Sequence, residues 1–378
     1  MSAKKIAIVR ARYNPFGGAE RFVARALHAL DQSGIELTII ARRWQGHAQE
    51  AGSAHRVILN PIHLGRVWRD ASFACAVKHH VARHDYDLVQ SHERIPGLDI
   101  YRAGDGVHRE WLAQRSQTLN RWQRLGLACN PYHAYVQWQE TRMFAHPALR
   151  AVICNSHMVK QEIHEWFGVP ESKLHVIYNG VDTAKFHPQV KQGRSATRAQ
   201  WRVPETAFCF LFLGSGFERK GLASCIEALA ELPQACLMVV GHDKHQARYQ
   251  TLAQSCGVAG RVVFAGAQQD VLPFYGMADA FVLPTLYDPF PNAVLEAMAC
   301  GLPVITSTKS GVAELISNGQ QGEVVPPNQP ASLAQAMRAL MQSGRADAMG
   351  AAARKLAEHH DLTRLGQQLS DLYRQLLV

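Results

Sequence analysis

The chain has no run of about 18 consecutive apolar residues, the length a helix needs to cross a bilayer, so no spanning segment is expected. The opening Met1-Ser2-Ala3-Lys4-Lys5-Ile6-Ala7-Ile8-Val9 has too short an apolar part for a secretory signal and is expected to form a first strand instead. Its eight cysteines include no Cys-x-x-Cys pair, and several fall inside apolar runs, which points to buried reduced thiols in a cytoplasmic protein and to no metal site. Neither Gly-x-Gly-x-x-Gly nor Gly-x-x-x-x-Gly-Lys-Ser/Thr occurs, which weighs against dinucleotide and P-loop triphosphate binding. No definable nucleic-acid-reading module is present, so nucleic acid is not an expected partner. At 378 residues, 47% apolar and 19% charged, the composition is that of a globular protein long enough for two domains.

Charge is unevenly distributed. The first 190 residues hold 24 Lys and Arg against 16 Asp and Glu, while the remainder hold 16 against 15. A basic first half suggests an anionic surface as its partner, whether a phosphorylated acceptor, a membrane leaflet or nucleic acid; a generic basic solvent face is the alternative.

The stretch Pro284-Thr285-Leu286-Tyr287-Asp288-Pro289-Phe290-Pro291-Asn292-Ala293-Val294-Leu295-Glu296-Ala297-Met298-Ala299-Cys300-Gly301-Leu302-Pro303 carries the strongest pattern. It follows the apolar run Ala280-Phe281-Val282-Leu283, which reads as a buried parallel strand, and residues 293–299 repeat their apolar side chains at helical spacing. Asp288 then lies where a loop leaves the sheet and Glu296 about one turn into the helix, so both can face the crevice beyond the strand ends where open α/β sheets bind ligands. A first-turn role favoured by the helix dipole is the alternative for such acids.

Strands are expected at 4–9, 36–41, 56–59 and 86–91, with a helix over 68–82, which is the βαβ rhythm of a parallel sheet. The loop after the first strand contains Gly17-Gly18, a pair that admits positive φ and lets backbone N–H groups approach a phosphate at a helix start. His92 and Glu93 stand at the end of the 86–91 strand, within reach of a ligand. Ser156 is placed to cap a helix from His157, and Asn179-Gly180 is expected to supply a left-handed turn. The polar stretch over 189–200 reads as linker. Beyond it, Gly214-Ser215-Gly216-Phe217-Glu218-Arg219-Lys220-Gly221 follows a strand, and a glycine loop with adjacent cations suits a diphosphate; a surface turn is its alternative.

Together these motifs resemble the retaining, nucleotide-sugar-dependent glycosyltransferases of family four, marked by two acids with seven residues between them, an Ala-rich helix and a Gly-x-Pro-Val strand. Asp288 and Glu296 match that spacing, with Asp where the family usually has Glu, and Gly301-Leu302-Pro303-Val304 matches the strand. The resemblance implies an α/β chain of two Rossmann-like domains facing a central cleft, the GT-B fold. Its expected limits are an acceptor-side domain over 1–185, a linker over 186–204 and a nucleotide-sugar domain over 205–358, with a helix over 359–378 packing back on the first domain.

The resemblance also implies roles. Glu296 would hold the ribose hydroxyls, and Asp288 with the backbone of Pro289, Phe290, Pro291 and Asn292 the transferred sugar. Lys220 would hold the diphosphate; Ser215 occupies the position of a family Arg, so Arg219 or the Ser215 hydroxyl would assist. The backbone at Ala265 would meet the base, and Gly17 and Gly18 would border the diphosphate and sugar. In the loop Arg102-Ala103-Gly104-Asp105-Gly106-Val107-His108 the family commonly has a His and its lipopolysaccharide-core branch an acid, so Asp105 or else His108 is the catalytic candidate; either could instead cap the next helix.

That branch transfers glucose from UDP-glucose to an inner-core heptose, without metal or other cofactor. The expected partners are therefore a nucleotide sugar, a lipid-linked or lipopolysaccharide-core acceptor and the anionic inner face of the cytoplasmic membrane. Residues 109–146 interleave Trp and Tyr with Arg, including Arg109, Arg115, Arg121 and Arg124, as a peripheral membrane segment does, although core packing of the tryptophans is the competing reading. A family-four transferase with another donor, or a nonenzymatic nucleotide-binding module, are the alternative functions.

Overall fold

The computed structural model describes residues 4–13, 35–44 and 54–377, which fall in two compact units, Met1–Asn179 with Leu362–Val378, and Gly180–Asp361. Gly17 and Gly18 lie outside the described residues.

The first unit contains β1 (Lys4–Tyr13), β2 (Ile35–Trp44), β3 (His55–Ile58), β4 (Leu88–Ser91), β5 (Ile100–Arg102), β6 (Ala151–Cys154) and β7 (Leu174–Val176). They pair in parallel in the order β3-β2-β1-β4-β5-β6-β7. Successive residues of β1 supply opposite faces. Ile6 and Ile8 pack with Leu365, Leu369, Leu372 and Tyr373 of the helix Leu362–Leu377, while Ala7 and Val9 pack with Phe73, Ala74 and Val77 of the helix Gly65–Val81. A parallel strand covered on both faces reads as an unbroken apolar run for this reason. Each fully buried leucine of the terminal helix contributes about 1.5–3 kcal/mol, and the Tyr373 hydroxyl donates to Gln90 Oε1 at 2.6 Å.

The second unit contains β8 (Phe208–Leu213), β9 (Ala235–Val240), β10 (Val262–Gly266), β11 (Ala280–Leu283), β12 (Val304–Ser307) and β13 (Gly322–Val325), parallel in the order β10-β9-β8-β11-β12-β13. Both orders reverse direction beside the first strand of their sheet, between β1 and β4 and between β8 and β11. Doubly wound sheets bind ligands beyond such switch points.

Three sequence expectations change. Residues 186–204 are not a free linker: a 3₁₀ segment Pro188–Gly193 and a helix Arg194–Gln200 belong to the second unit. Arg198 is fully buried there, donating to the carbonyls of Met277, Pro204, Glu205 and Ala207 and pairing with Asp279 at 2.7 Å. Asn179 and Gly180 have no positive φ; Asn179 Oδ1 instead accepts from Arg102 at 2.6 Å, and Val181 bridges to Asp361 where the chain passes between units. Of the cysteines, Cys154, Cys209, Cys225, Cys236 and Cys300 are buried, but Cys75, on the helix Gly65–Val81, and Cys129, just past the end of the helix Arg121–Ala128, are exposed. Ser156 caps its helix, accepting from Val159 N–H.

Candidate functional site

In the second unit the loop after β8 is stitched to the loop after β11. Leu286 N–H and Thr285 Oγ1 both donate to the Arg219 carbonyl, at 2.8 and 2.7 Å. Gly221 makes this approach possible: its φ is +78°, and a Cβ there would stand 2.1 Å from the Pro284 carbonyl oxygen. The stitching brings Lys220 Nζ into an ion pair with Asp288 Oδ2 and places Arg219 Nη1 2.9 Å from the same oxygen. Asp288 is buried, and its other oxygen accepts from Phe290 N–H at 3.2 Å. Burial alone would push its carboxyl up, but Lys220, Arg219 and these hydrogen bonds outweigh burial and hold it below the usual carboxylate range. Burial presses the Lys220 ammonium the other way, downward.

Glu296, on the helix Asn292–Ala299, is also buried, and the hydroxyl of fully buried Tyr275 donates to its Oε2 at 3.0 Å. Ser215 Oγ accepts from His242 N–H at 3.3 Å. Ala265 lies in β10, its carbonyl accepting from Gln268 at 2.6 Å. Pro289, Phe290 and Pro291 are buried in the turn from Asp288 to the helix.

The first unit has a cavity of about 280 Å³ at the β1/β4 switch point. Arg10, Arg12, Arg42, Arg69 and Arg94 line it, as do the acids Asp70, Glu93 and Asp105. Tyr132, Tyr135 and Gln139 enter from the helix Pro131–Phe144. Several of the charges are fixed by partners within the unit. Arg69 pairs with Asp70 at 2.7 Å, Glu93 accepts from Ala11 N–H at 2.8 Å, and Arg94 pairs with buried Glu140 at 2.8 Å. Burial, followed by the Asp105 charge among the raising effects, pushes the Glu93 carboxyl up despite Ala11 and Arg10.

Glu140 Oε1 also accepts from His108 N–H at 2.8 Å, which pins the end of the loop carrying Asp105. Asp105 is exposed and lines the cavity. His108 is not among the lining residues; its Nε2 lies 3.0 Å from His133 Nδ1, and burial, with the charges of Arg94 and His133, pushes its imidazole down to about 3. His92 is buried at the end of β4 and is likewise pushed well down, first by burial.

The helices His108–Gln117 and Arg121–Ala128 bury no residue. Trp122 is 71% exposed and Trp138 is 52% exposed, so those two do not pack in a core. Arg121 lies over Trp122 and Arg115 over Trp111, at 5.3 and 6.0 Å from the ring centroids. Arg109 donates to Thr141 and lies over the Phe167 and Trp166 rings, at 5.3 and 5.9 Å from their centroids, and Arg124 donates to the Leu119 carbonyl.

Sequence reasoning missed Tyr275, Glu140 and the arginine set. The signal available for the last was Arg10 and Arg12 beside Arg42 and Arg43. The parallel register sets Arg10 opposite Ala41 and Arg12 opposite Arg43, which gathers the basic strand ends together. Among the described residues no group of His, Cys, Asp and Glu has a metal-holding arrangement, and no helix is long and apolar enough to cross a membrane.

Residues 16–185 match the family model Glycosyltransferase Family 4, and residues 193–356 match Glycosyl transferases group 1. The lipopolysaccharide glucosyltransferase WaaG of Escherichia coli is 28% identical over 371 residues, covering 96% of each chain. The lipopolysaccharide core biosynthesis glycosyltransferase LpsE of Rhizobium meliloti is 26% identical over 375 residues, also covering 96% of each. A crystal structure of WaaG, described as a glycosyltransferase involved in lipopolysaccharide biosynthesis, superposes with a TM-score of 0.83 at 25% identity, covering 97% of this chain and 99% of that one.

Proposed function

The chain belongs to the family 4 glycosyltransferases of GT-B fold, and from that premise we propose that it is a retaining hexosyltransferase moving glucose from UDP-glucose to a heptose of the lipopolysaccharide inner core. The observation that carries this reading is the Lys220–Asp288–Arg219 cluster beside buried Glu296. Without a donor, the two cations neutralise Asp288. A diphosphate competes for both, and its charge favours the protonated lysine that burial disfavours. Asp288 is then released to accept hydrogen bonds from the sugar, with the backbone of 289–292. Glu296, oriented by Tyr275, takes the ribose hydroxyls; Ser215, the Ala265 backbone, Gly17 and Gly18 complete the donor side.

During transfer the acceptor oxygen bonds to the anomeric carbon as the bond to the diphosphate oxygen breaks. The acceptor proton passes to that departing oxygen on the same face, which retains configuration. Lys220 and Arg219 stabilise the charge that grows on the leaving group, so neither metal nor cofactor is required. Asp105 acts on the acceptor side, held by the Glu140 contact to its loop. The test is incubation with a panel of UDP- and GDP-sugars and deacylated core acceptors. Glucose transfer from UDP-glucose with retained configuration is expected, and Asp105→Ala should lose turnover far more than donor affinity. Exclusive use of another donor would move the chain to a different activity in the family, and loss of turnover in His108→Ala but not Asp105→Ala would reassign the catalytic role.

The exposed Trp122 and Trp138, with Arg115, Arg121 and Arg124, support peripheral attachment to the anionic cytoplasmic leaflet. Co-sedimentation with vesicles should require anionic lipid and weaken with salt. A folded variant with all three arginines changed to Ser should bind less; parental binding by that variant would reject this surface.

A further inference from the structure

The first unit's cavity carries more cationic than anionic lining groups, five arginines against three carboxylates. Asp70 is committed to Arg69, and Arg94 is held by Glu140, which lies outside the lining. Among the described residues, the side chains of Arg12 and Arg42, in β1 and β2, have no hydrogen-bonded or ion-paired partner. Arg42 is 3% exposed. Burial, and after it the charges of Arg69, Arg43 and Arg12, lowers its affinity for its proton, with only Asp70 opposing. A guanidinium kept in such company is stabilised by an anion that reaches it, and its planar fork suits two oxygens of one group. Other lining residues are different in kind. The Tyr132 hydroxyl donates to Asp70 Oδ2 at 3.3 Å and the Tyr135 hydroxyl accepts from Gln139 Nε2 at 3.0 Å, which leaves hydroxyl lone pairs and the Gln139 carbonyl oxygen to accept from sugar hydroxyls.

We infer that this cavity is a binding site for a sugar phosphate monoester, with Arg12 and Arg42 taking the phosphate and the Tyr132–Gln139 wall taking the sugar. A phosphomonoester carries about −1.5 to −2 charge near neutral pH and three acceptor oxygens, so one such group can serve the Arg12 and Arg42 forks together where a single carboxylate serves one. The volume of about 280 Å³ accommodates one sugar unit with its phosphate. Asp105 lines the same cavity, so the phosphate would position the acceptor next to the proposed catalytic acid; that use of the site rests on the glycosyltransferase reading above.

The test is calorimetry on the full-length protein with UDP added first to saturation, so that Lys220 and Arg219 are occupied. Glucose 6-phosphate should bind, with inorganic phosphate weaker and glucose undetectable, and glucuronate at least tenfold weaker. Arg12→Gln, at an exposed position that does not test the fold, should weaken glucose 6-phosphate at least tenfold, as should Arg42→Gln if it folds. Arg83→Gln, which removes a charge elsewhere on the unit, should change nothing. Glucose 6-phosphate binding no tighter than glucose would overturn the inference, as would unchanged binding in Arg12→Gln, an equal loss in Arg83→Gln, or a preference for glucuronate. The UDP titration separates the two readings. UDP binding without glucose 6-phosphate binding removes this inference alone, whereas glucose 6-phosphate binding without UDP binding leaves the anion site and removes the transferase reading.

Discussion

The charge clusters of the two units are built in opposite ways. In the second, a buried acid and two cations close on one another: Asp288 receives both Lys220 and Arg219. In the first, the carboxylates reach only some of the arginines, and buried Arg42 faces other cations. A ligand of the second cluster must therefore exchange partners with an acid already present, and binding can reorganise the site. A ligand of the first adds the missing sign of charge without displacing an internal pair. Exchange suits a leaving group whose charge grows during reaction; addition suits the holding of an anion whose charge is unchanged by the reaction.

Breaking the closed cluster should have the largest effect. Gly221→Ala forces a side chain into a left-handed backbone and against the Pro284 carbonyl, at a cost of about 2–4 kcal/mol. It should lower the melting temperature and abolish UDP binding; a variant as stable as its parent would contradict the tight approach of the two loops. Lys220→Met leaves the chain geometry alone and removes one charge. UDP affinity should fall by about 2 kcal/mol, roughly thirtyfold, by calorimetry, and unchanged affinity would take Lys220 out of the donor site.

Acid separates the units more gently. The folded His108 imidazole sits at about 3, against about 6.5 in an unfolded chain. Between those values the unfolded chain takes up a proton that the folded chain refuses, so this contribution to stability declines as pH falls from about 6.5. The depressed carboxyl of Asp288 contributes stability that is present above its unfolded value of about 3.9 and is lost only as pH falls through its lower folded value. The first unit should weaken at milder acidity than the second. Proton NMR should find the His108 ring resonances unmoved between pH 7 and 5, and a midpoint near 6.5 would contradict its burial against His133.

How much of this was legible follows from what is local in sequence. The 284–304 stretch was readable because its strand, Gly and Pro punctuation and acid spacing are all near neighbours, and the observed β11, helix 292–299 and β12 follow it closely. The meeting of Lys220 with Asp288 depends on two loops from adjacent strands β8 and β11, an adjacency that periodicity does not specify. The Tyr275 contact to Glu296 depends in turn on where the helix Leu272–Met277 packs. Residues 194–200 looked like linker because Arg, Ser, Thr and Gln are polar, yet Arg198 is buried once carbonyls and Asp279 satisfy its donors. The strand β1 runs through Arg10 and Arg12 to Tyr13, past the point where apolar character ends, because charged side chains at a strand end can line a cavity without leaving the sheet.

In the proposed reaction the second unit is the nucleotide end of the molecule, with Glu296 as its ribose contact. Calorimetric titration of UDP into the parent and into Glu296→Ala tests that directly. The parent should bind, and the variant should lose about 1.5–3 kcal/mol, the value of hydrogen bonds to a charged group. A folded Glu296→Ala protein with parental UDP affinity would contradict it.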